Sequence, residues 1–136
     1  MARSERGASA VEFAIILPVL FLVIAGIVDF GRFFFTKIQV TNAAREGVRM
    51  AVVMPGPTPD PGPSITARAS AAAAGVAPAV AVSALATCTA GSTAYATVRV
   101  QTSFSWIVMG PAIRMVGGTW AAGNTVSATG VMRCGG

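Results

Sequence analysis

The sequence predicts an α+β protein in which one long N-terminal helix, first transmembrane and then amphipathic, precedes a small antiparallel-sheet domain. Three observations support this prediction. An apolar stretch from Ala8 to Val28 contains a single charged residue, and it is long enough to cross a bilayer as a helix. A proline-rich segment at 55–63 then interrupts the chain. Beyond it, apolar residues recur with the period of two that is typical of strands.

Composition favours a membrane protein. The 136 residues are 54% hydrophobic and only 11% charged, with a mean hydropathy of +0.68, whereas a soluble domain has roughly 25% charged residues. The part of the chain after Met54 is small enough to be only marginally stable by itself. We therefore expect a covalent link or a partner to support it.

The distribution of charge excludes several function classes. The formal net charge is +5, but the basic residues are scattered without a run or an aromatic-interleaved patch, so we expect no nucleic-acid partner. There is no histidine, and the only acidic residue after Met54 is Asp60. The part of the chain after Met54 therefore has no pair of catalytic carboxylates. It also contains no phosphate-loop motif and no metal-ligand cluster. We expect no enzyme, no cofactor, no metal and no small-molecule substrate.

The first seven residues, MARSERG, are predicted to be a short leader. Arg3 and Arg6 precede the apolar stretch, which favours a cytoplasmic N-terminus and an external C-terminal domain. A secretory signal peptide fits poorly, because the apolar core is long and is followed by Asp29 and Arg32 instead of a small-residue cleavage site. An ordinary uncleaved anchor is a second alternative, although it gives no purpose to Glu12.

The N-terminal residues resemble a known processing signal. Gly7 is followed at the fifth position by Glu12, then by Phe13 and an apolar helix containing Pro18, which resembles the signal of type IV prepilins. More narrowly, the stretch from Arg6 to Ala51 resembles the N-terminal signature of TadE-like pseudopilins of the tight-adherence (Flp, type IVc) pilus system. The matching blocks are AVEFA, DFGR and TNAAREG.

This resemblance implies a processing site made of Gly7, Ala8, Glu12 and Phe13, cut after the glycine. It also implies a minor pilin or pseudopilin in the bacterial cytoplasmic membrane that serves pilus assembly, export or priming. The implied partners are prepilin peptidase, other pilins and pseudopilins, the inner-membrane assembly platform and the lipid bilayer. A main pilus subunit is disfavoured because Flp pilins are typically much shorter. The alternative is an uncleaved, membrane-anchored external module for binding or adhesion.

Glu12 lies inside the apolar stretch, where a lone carboxylate is costly and indicates a specific use. Cleavage after Gly7 would free an amino group on Ala8, and a paired carboxylate and amine cost less in a membrane than either charge alone. The alternative is that Glu12 simply lies in the cytoplasmic headgroup layer. Pro18 removes one helical amide, so we expect a kink or local loosening there.

One helix is expected from about Ala8 to about Val53, with a transmembrane part at 8–32 and an amphipathic extension at 33–54. Asp29 and Arg32 are three residues apart and can pair at the membrane interface, and three phenylalanines follow as an aromatic belt. The extension carries a face of small residues, which we interpret as a packing face or, alternatively, a partner site. This face consists of Val40, Ala43, Ala44, Gly47 and Ala51.

After the linker at 55–63, residues 64–136 are predicted to form the external domain. Ser64 can cap a short helix that runs through Ala74, with a turn at 90–92. The clearest strand alternation comes later. The predicted inward faces of the three strands are Val80, Val82, Ala84, Ala86 and Cys88; Ala96, Val98, Val100, Thr102, Phe104 and Trp106; and Val126, Ala128, Gly130, Met132 and Cys134.

Both cysteines, Cys88 and Cys134, fall on inward positions of separate strands. In an external domain this favours a disulfide over a metal site, with two reduced buried cysteines as the alternative. The segment from Ile107 to Gly123 is too apolar for a solvated loop. It either packs on the sheet or contacts a partner, and the residues expected to do so are Met109, Ile113, Met115 and Trp120.

Overall fold

The computed structural model describes residues 4–54, 62–89, 93–115, 117–119 and 125–135, with side chains described from Gly7 onward. Its elements follow the order helix, helix, strand, strand, helix, strand. The predicted α+β class, with a long N-terminal helix before a small antiparallel sheet, is confirmed. The predicted turn at 90–92 and residues 55–61 of the linker lie outside the described residues.

Helix α1 (Ser4–Val53) contains 50 residues, which corresponds to a length of about 75 Å. It begins before the predicted start at Ala8 and ends at the predicted residue. Pro18 lies inside it, and the helical assignment continues through this residue, as membrane helices commonly allow. The predicted kink therefore stays a prediction.

The chain forms two compact units. The first contains α1 up to Arg32 together with the chain from Ser105, including α3 (Met109–Met115). The second contains the rest of α1 and the sheet. Its other elements are α2 (Gly62–Ala72), β1 (Ala81–Ala86), β2 (Tyr95–Ser103) and β3 (Thr125–Arg133).

The three strands form an antiparallel sheet in the order β1-β2-β3. Burial alternates along the central strand β2, as predicted for a sheet with one covered face. The buried residues along β2 and just after it are Ala96, Val98, Val100, Thr102 and Phe104.

Strand β1 departs from the predicted alternation. Val82 pairs with Val100, but Ala84 pairs with Arg99, so the register shifts between Val82 and Ala84. An extra residue in one strand turns the following side chains to the opposite face. The prediction that Ala84 and Ala86 share the inward face of Val82 is therefore wrong, and both alanines are exposed.

The second half of α1 packs against the sheet through small residues. A Cβ built on Gly47 would lie 3.0 Å from a Cγ of Val98 and 3.5 Å from the Cβ of Ala69. Helix and sheet can approach this closely because several of the residues in contact have small side chains or none. The five residues of the expected packing face are all buried: Val40, Ala43, Ala44, Gly47 and Ala51.

Polar contacts join the elements of the second unit at its surface. Arg68 on α2 and Glu46 on α1 form an ion pair with 3.0 Å between Nη2 and Oε2. The Nζ of Lys37 donates a hydrogen bond of 2.9 Å to the carbonyl oxygen of Ser127 on β3. Because these groups are exposed, we expect each contact to contribute little to stability.

Candidate functional site

The four residues implied as a processing site lie together at the start of α1. Gly7, Ala8, Glu12 and Phe13 are all exposed, and nothing lies within 4 Å of a Cβ built on Gly7. Ala8 and Glu12 are four residues apart and therefore lie one turn apart on the same side of the helix. Cleavage after Gly7 would therefore free a backbone nitrogen one helical turn before Glu12.

The apolar part of α1 is uncovered on all sides from Gly7 to Ile24. Every residue from Gly7 to Ile24 is exposed, and successive helical residues point about 100° apart, so these residues cover the full circumference. Among the described residues, α1 is the helix that is long and apolar enough to cross a membrane. Lipid or other proteins must cover such a surface.

Asp29 is the most specifically placed polar residue of the first unit. Its side chain is fully buried, and both carboxylate oxygens accept backbone hydrogen bonds. The Ile107 amide donates to Oδ1 at 3.2 Å, while the amides of Val108 and Met109 donate to Oδ2, each at 2.9 Å. Asp29 therefore satisfies the free amides that precede and open α3, in the manner of an N-cap supplied from another helix.

Asp29 and Arg32, which are predicted to pair, are 3.7 Å apart between Oδ1 and Nη1. The Arg32 Nη1 also donates to the carbonyl oxygen of Ser105 at 3.5 Å. The backbone cap was not predicted. Its donors come from residues about 78 positions later in the chain, and backbone amides leave no signal in a sequence.

Helix α3 itself was also not predicted, although local signals exist. Pro111 lies in its first turn, where the missing amide has no helical partner to lose. At its other end, Gly117 has a φ of +78° and donates to the carbonyl of Arg114, while Gly118 donates to that of Ile113. These two bonds form a Schellman motif, which ends a helix at a glycine.

Three of the four residues expected to contact a partner lie among the described residues. Met109 and Ile113 are half-buried, whereas Met115 is 88% exposed. Trp120 lies outside the described residues. Their contact with a partner stays a prediction.

Cys88 and Cys134 form a disulfide with 5.7 Å between their Cα atoms. Cys88 follows β1 and Cys134 follows β3, so the bond links the two outer strands at one end of the sheet. Close by, the Cys134 amide donates to the Ala94 carbonyl at 2.8 Å. The small sheet domain therefore has the covalent support expected for a domain of its size.

The described residues contain no group of three or more histidine, cysteine, aspartate or glutamate side chains that could hold a metal ion. The arrangement instead consists of an exposed apolar helix, a processing-type sequence at its start and a carboxylate cap near the end of the apolar stretch. These features suit insertion and assembly.

A family model described as TadE-like protein matches residues 7–49. Residues 7–49 are therefore similar to TadE-like proteins. The TadE-like match begins at Gly7 and includes Glu12, Asp29 and most of the packing face, so the resemblance read from the sequence is confirmed. No curated protein and no solved structure matches the chain.

The likeness to TadE-like proteins covers residues 7–49, about a third of the 136-residue chain. Together with the apolar helix α1, it indicates membrane anchoring. The matched range ends before α2 and the sheet. The outer domain therefore belongs to the part of the chain outside the TadE-like match.

Proposed function

We propose that this chain is a non-catalytic minor pilin or pseudopilin that takes part in assembly, export or priming of a Tad/Flp-type pilus. The observation that carries the proposal is the position of Gly7 and Glu12 at the start of an uncovered apolar helix, inside the TadE-like segment. A pilin uses the apolar surface of such a helix in two states. Lipid covers it before assembly, and neighbouring subunits cover it afterwards.

In this proposal, a prepilin peptidase cuts between Gly7 and Ala8 at the cytoplasmic side of the membrane. The new amino group of Ala8 then lies one turn from the Glu12 carboxylate. The two charges can pair within one chain, or Glu12 can pair with the terminus of a neighbouring subunit. Either pair lowers the cost of holding charge in an apolar surrounding.

The proposal gives the apolar span and the sheet domain different roles. The span at 8–28 anchors the protein in the cytoplasmic membrane, and the inner-membrane platform receives it there. The disulfide-linked sheet domain lies outside and contacts other pilins or pseudopilins. The many exposed apolar residues of α1 support this assignment, because a stable surface of that kind requires a covering partner.

The decisive experiment is the intact mass of the membrane-extracted chain after coexpression with a prepilin peptidase that processes a known prepilin. We expect a mature chain that begins at Ala8. A Gly7→Val variant, which changes only the residue before the cut, should retain the leader. A wild-type chain that keeps Met1 to Gly7 beside an active peptidase would contradict the proposal.

Glu12 provides a second test. We expect Glu12→Ala to be cut normally or more slowly but to enter the pilus fraction poorly, because the Ala8 amine loses its partner. Glu12→Asp keeps the charge and should retain part of the function. Equal recovery of all three proteins in sheared pili would contradict this role for the carboxylate.

The second candidate is an uncleaved membrane-anchored module for external binding or adhesion. One observation favours it: α1 begins at Ser4, so the Gly7-Ala8 bond lies within the helix, and cleavage would require this first part of the helix to unwind. Helix ends fray readily, which makes that step feasible. The same mass experiment separates the two candidates, since the module would keep its leader.

A further inference from the structure

The chain that follows β2 runs along α1 toward the apolar span. The first two contacts involve residues 30 and 32 of α1. The Ser105 carbonyl accepts a hydrogen bond from Arg32, and the Trp106 ring lies edge-on to the Phe30 ring with 5.3 Å between centroids. From Ser105 to Trp106, the contacted residue on α1 therefore changes by two positions toward the N-terminus of the helix.

The next contacts continue in the same direction. The amides of Ile107, Val108 and Met109 meet the Asp29 carboxylate. The sulfur of Met109 then lies 3.9 Å from the position of a Cβ built on Gly26. Between residues 105 and 109 the contacts on α1 therefore move from residue 32 to residue 26, which is about 9 Å along the helix axis.

These contacts fix the level along α1 at which α3 starts. Gly26 belongs to the uncharged part of α1, and Asp29 is the first charged residue after it. The boundary between hydrocarbon and headgroups is expected near such a transition. Helix α3 therefore starts level with the outer end of the span.

The exposed side chains of this segment suit that level. Ile107 is 58% exposed and Met115 is 88% exposed, while Arg114 is an exposed cation in the last turn of α3. Apolar side chains beside a long cationic one are typical of segments at the headgroup boundary, where the cation reaches the phosphates. The uncovered span of α1 begins only a few residues away, so the same lipid can cover both surfaces.

We propose that residues 106–115, held by the Asp29 cap, lie in the outer headgroup layer of the bilayer, with Ile107 and Met115 in contact with lipid. The segment would act as a second, shallow membrane contact that sets how far α1 projects from the bilayer. This proposal rests on the membrane anchoring in the proposed function, and it adds a lipid-binding surface to it.

The test uses the full chain reconstituted in vesicles of phosphatidylcholine and phosphatidylglycerol, with the native disulfide verified by intact mass. A Met115→Cys variant carries an environment-sensitive fluorophore, and this exposed position is expected to accept it without unfolding. Val19→Cys in the span and Thr129→Cys on β3 carry the same fluorophore as deep and aqueous references. Ile107→Cys repeats the measurement should Met115→Cys reconstitute poorly.

We expect lipids spin-labelled near the headgroup to quench the label at 115 at least threefold more than the label at 129. We also expect aqueous iodide to quench the label at 115 at least threefold less. A label at 115 that behaves like the one at 129, while the label at 19 is quenched by lipid, would overturn the inference and leave the anchoring intact. Protection from both quenchers that grows with the protein-to-lipid ratio would assign the surface to a second copy and also overturn it.

The deep reference separates this failure from that of the proposed function. Iodide access to the label at 19 would mean that α1 does not span the vesicle bilayer. In that case the proposed anchoring fails and the inference fails with it. Asp29→Asn should shift the label at 115 toward the aqueous reference, because the segment loses its cap on α1.

Discussion

The backbone carbonyl of Ala44 lies directly against Gly130. A Cβ at position 130 would overlap that carbonyl oxygen and would also lie 2.9 Å from a Cγ of Val48. Both partners belong to helix α1, whose backbone cannot move without disturbing its own hydrogen bonds. Helix α1 therefore reaches β3 only because residue 130 has no side chain.

Gly130→Ala should destabilise the second unit by about 2 kcal/mol, because the added methyl forces helix and strand apart. Urea unfolding of the detergent-solubilised full chain, followed by the protease susceptibility of the sheet, measures the change. Gly31→Ala is the matched control, since nothing lies within 4 Å of its Cβ position. In a helix interior that control should be neutral or stabilising by roughly 0.5 kcal/mol. Equal effects of both variants would contradict the close contact.

Asp29→Asn should loosen the segment before α3. The amide side chain keeps a single acceptor oxygen, whereas the carboxylate uses both oxygens for three backbone amides. A lost cap or an unsatisfied buried amide costs about 1–2 kcal/mol. Amide hydrogen exchange at residues 107–109 should therefore be about tenfold faster, as read by mass spectrometry of the full chain.

Glu12→Gln is the control for that experiment, because it removes the same charge from the same helix at an exposed residue. Its exchange at 107–109 should match the wild type. Unchanged exchange in Asp29→Asn would show that the cap contributes nothing to the order of this segment.

Replacing Cys88 by serine should destabilise the outer domain strongly. The disulfide joins residues 46 positions apart, and closing a loop of that length is worth about 4 kcal/mol in the chain-entropy model. The Cys88→Ser/Cys134→Ser double variant should lose no more than the single variant, because both remove the same bond. The measurement is the unfolding midpoint of oxidised and reduced chains. Alkylation of two thiols in the unreduced wild-type chain would contradict the bond itself.

The ion pair between Arg68 and Glu46 should matter little. Both side chains are partly exposed, and such pairs typically contribute less than about 1 kcal/mol and weaken with salt. A double-mutant cycle with Arg68→Gln and Glu46→Gln measures the coupling. A coupling of about 2 kcal/mol at physiological salt would show that this expectation is wrong.

Much of the fold could be predicted because its signals are local. The apolar stretch of α1 and the alternation of β2 follow from side-chain period, which needs no knowledge of the partner surface. The spacing of Gly7 and Glu12 is likewise a property of neighbouring residues. The disulfide was predicted by placing each cysteine on an inward strand position. In the structure both cysteines instead lie just after a strand, and the bond still forms.

Other features depend on contacts between distant parts of the chain. The register shift in β1 arises in its pairing with β2 and reverses the predicted face of Ala84. The short helix α3 has too few residues for a periodic pattern, and its cap comes from Asp29 on another helix. In the site, local spacing could indicate the processing residues and the Asp29-Arg32 pair but not the backbone donors of residues 107–109.

The sequence thus determines where the chain can enter a membrane, where a processing signal is predicted and which residues prefer strands, because hydrophobicity and backbone preference act over a few neighbouring residues. Tertiary structure alone decides how the buried carboxylate of Asp29 is used and why position 130 requires a glycine. Desolvating a carboxylate, or bringing a helix backbone against a strand, is favourable only when the complementary group is already in place. That condition is set by the folded chain.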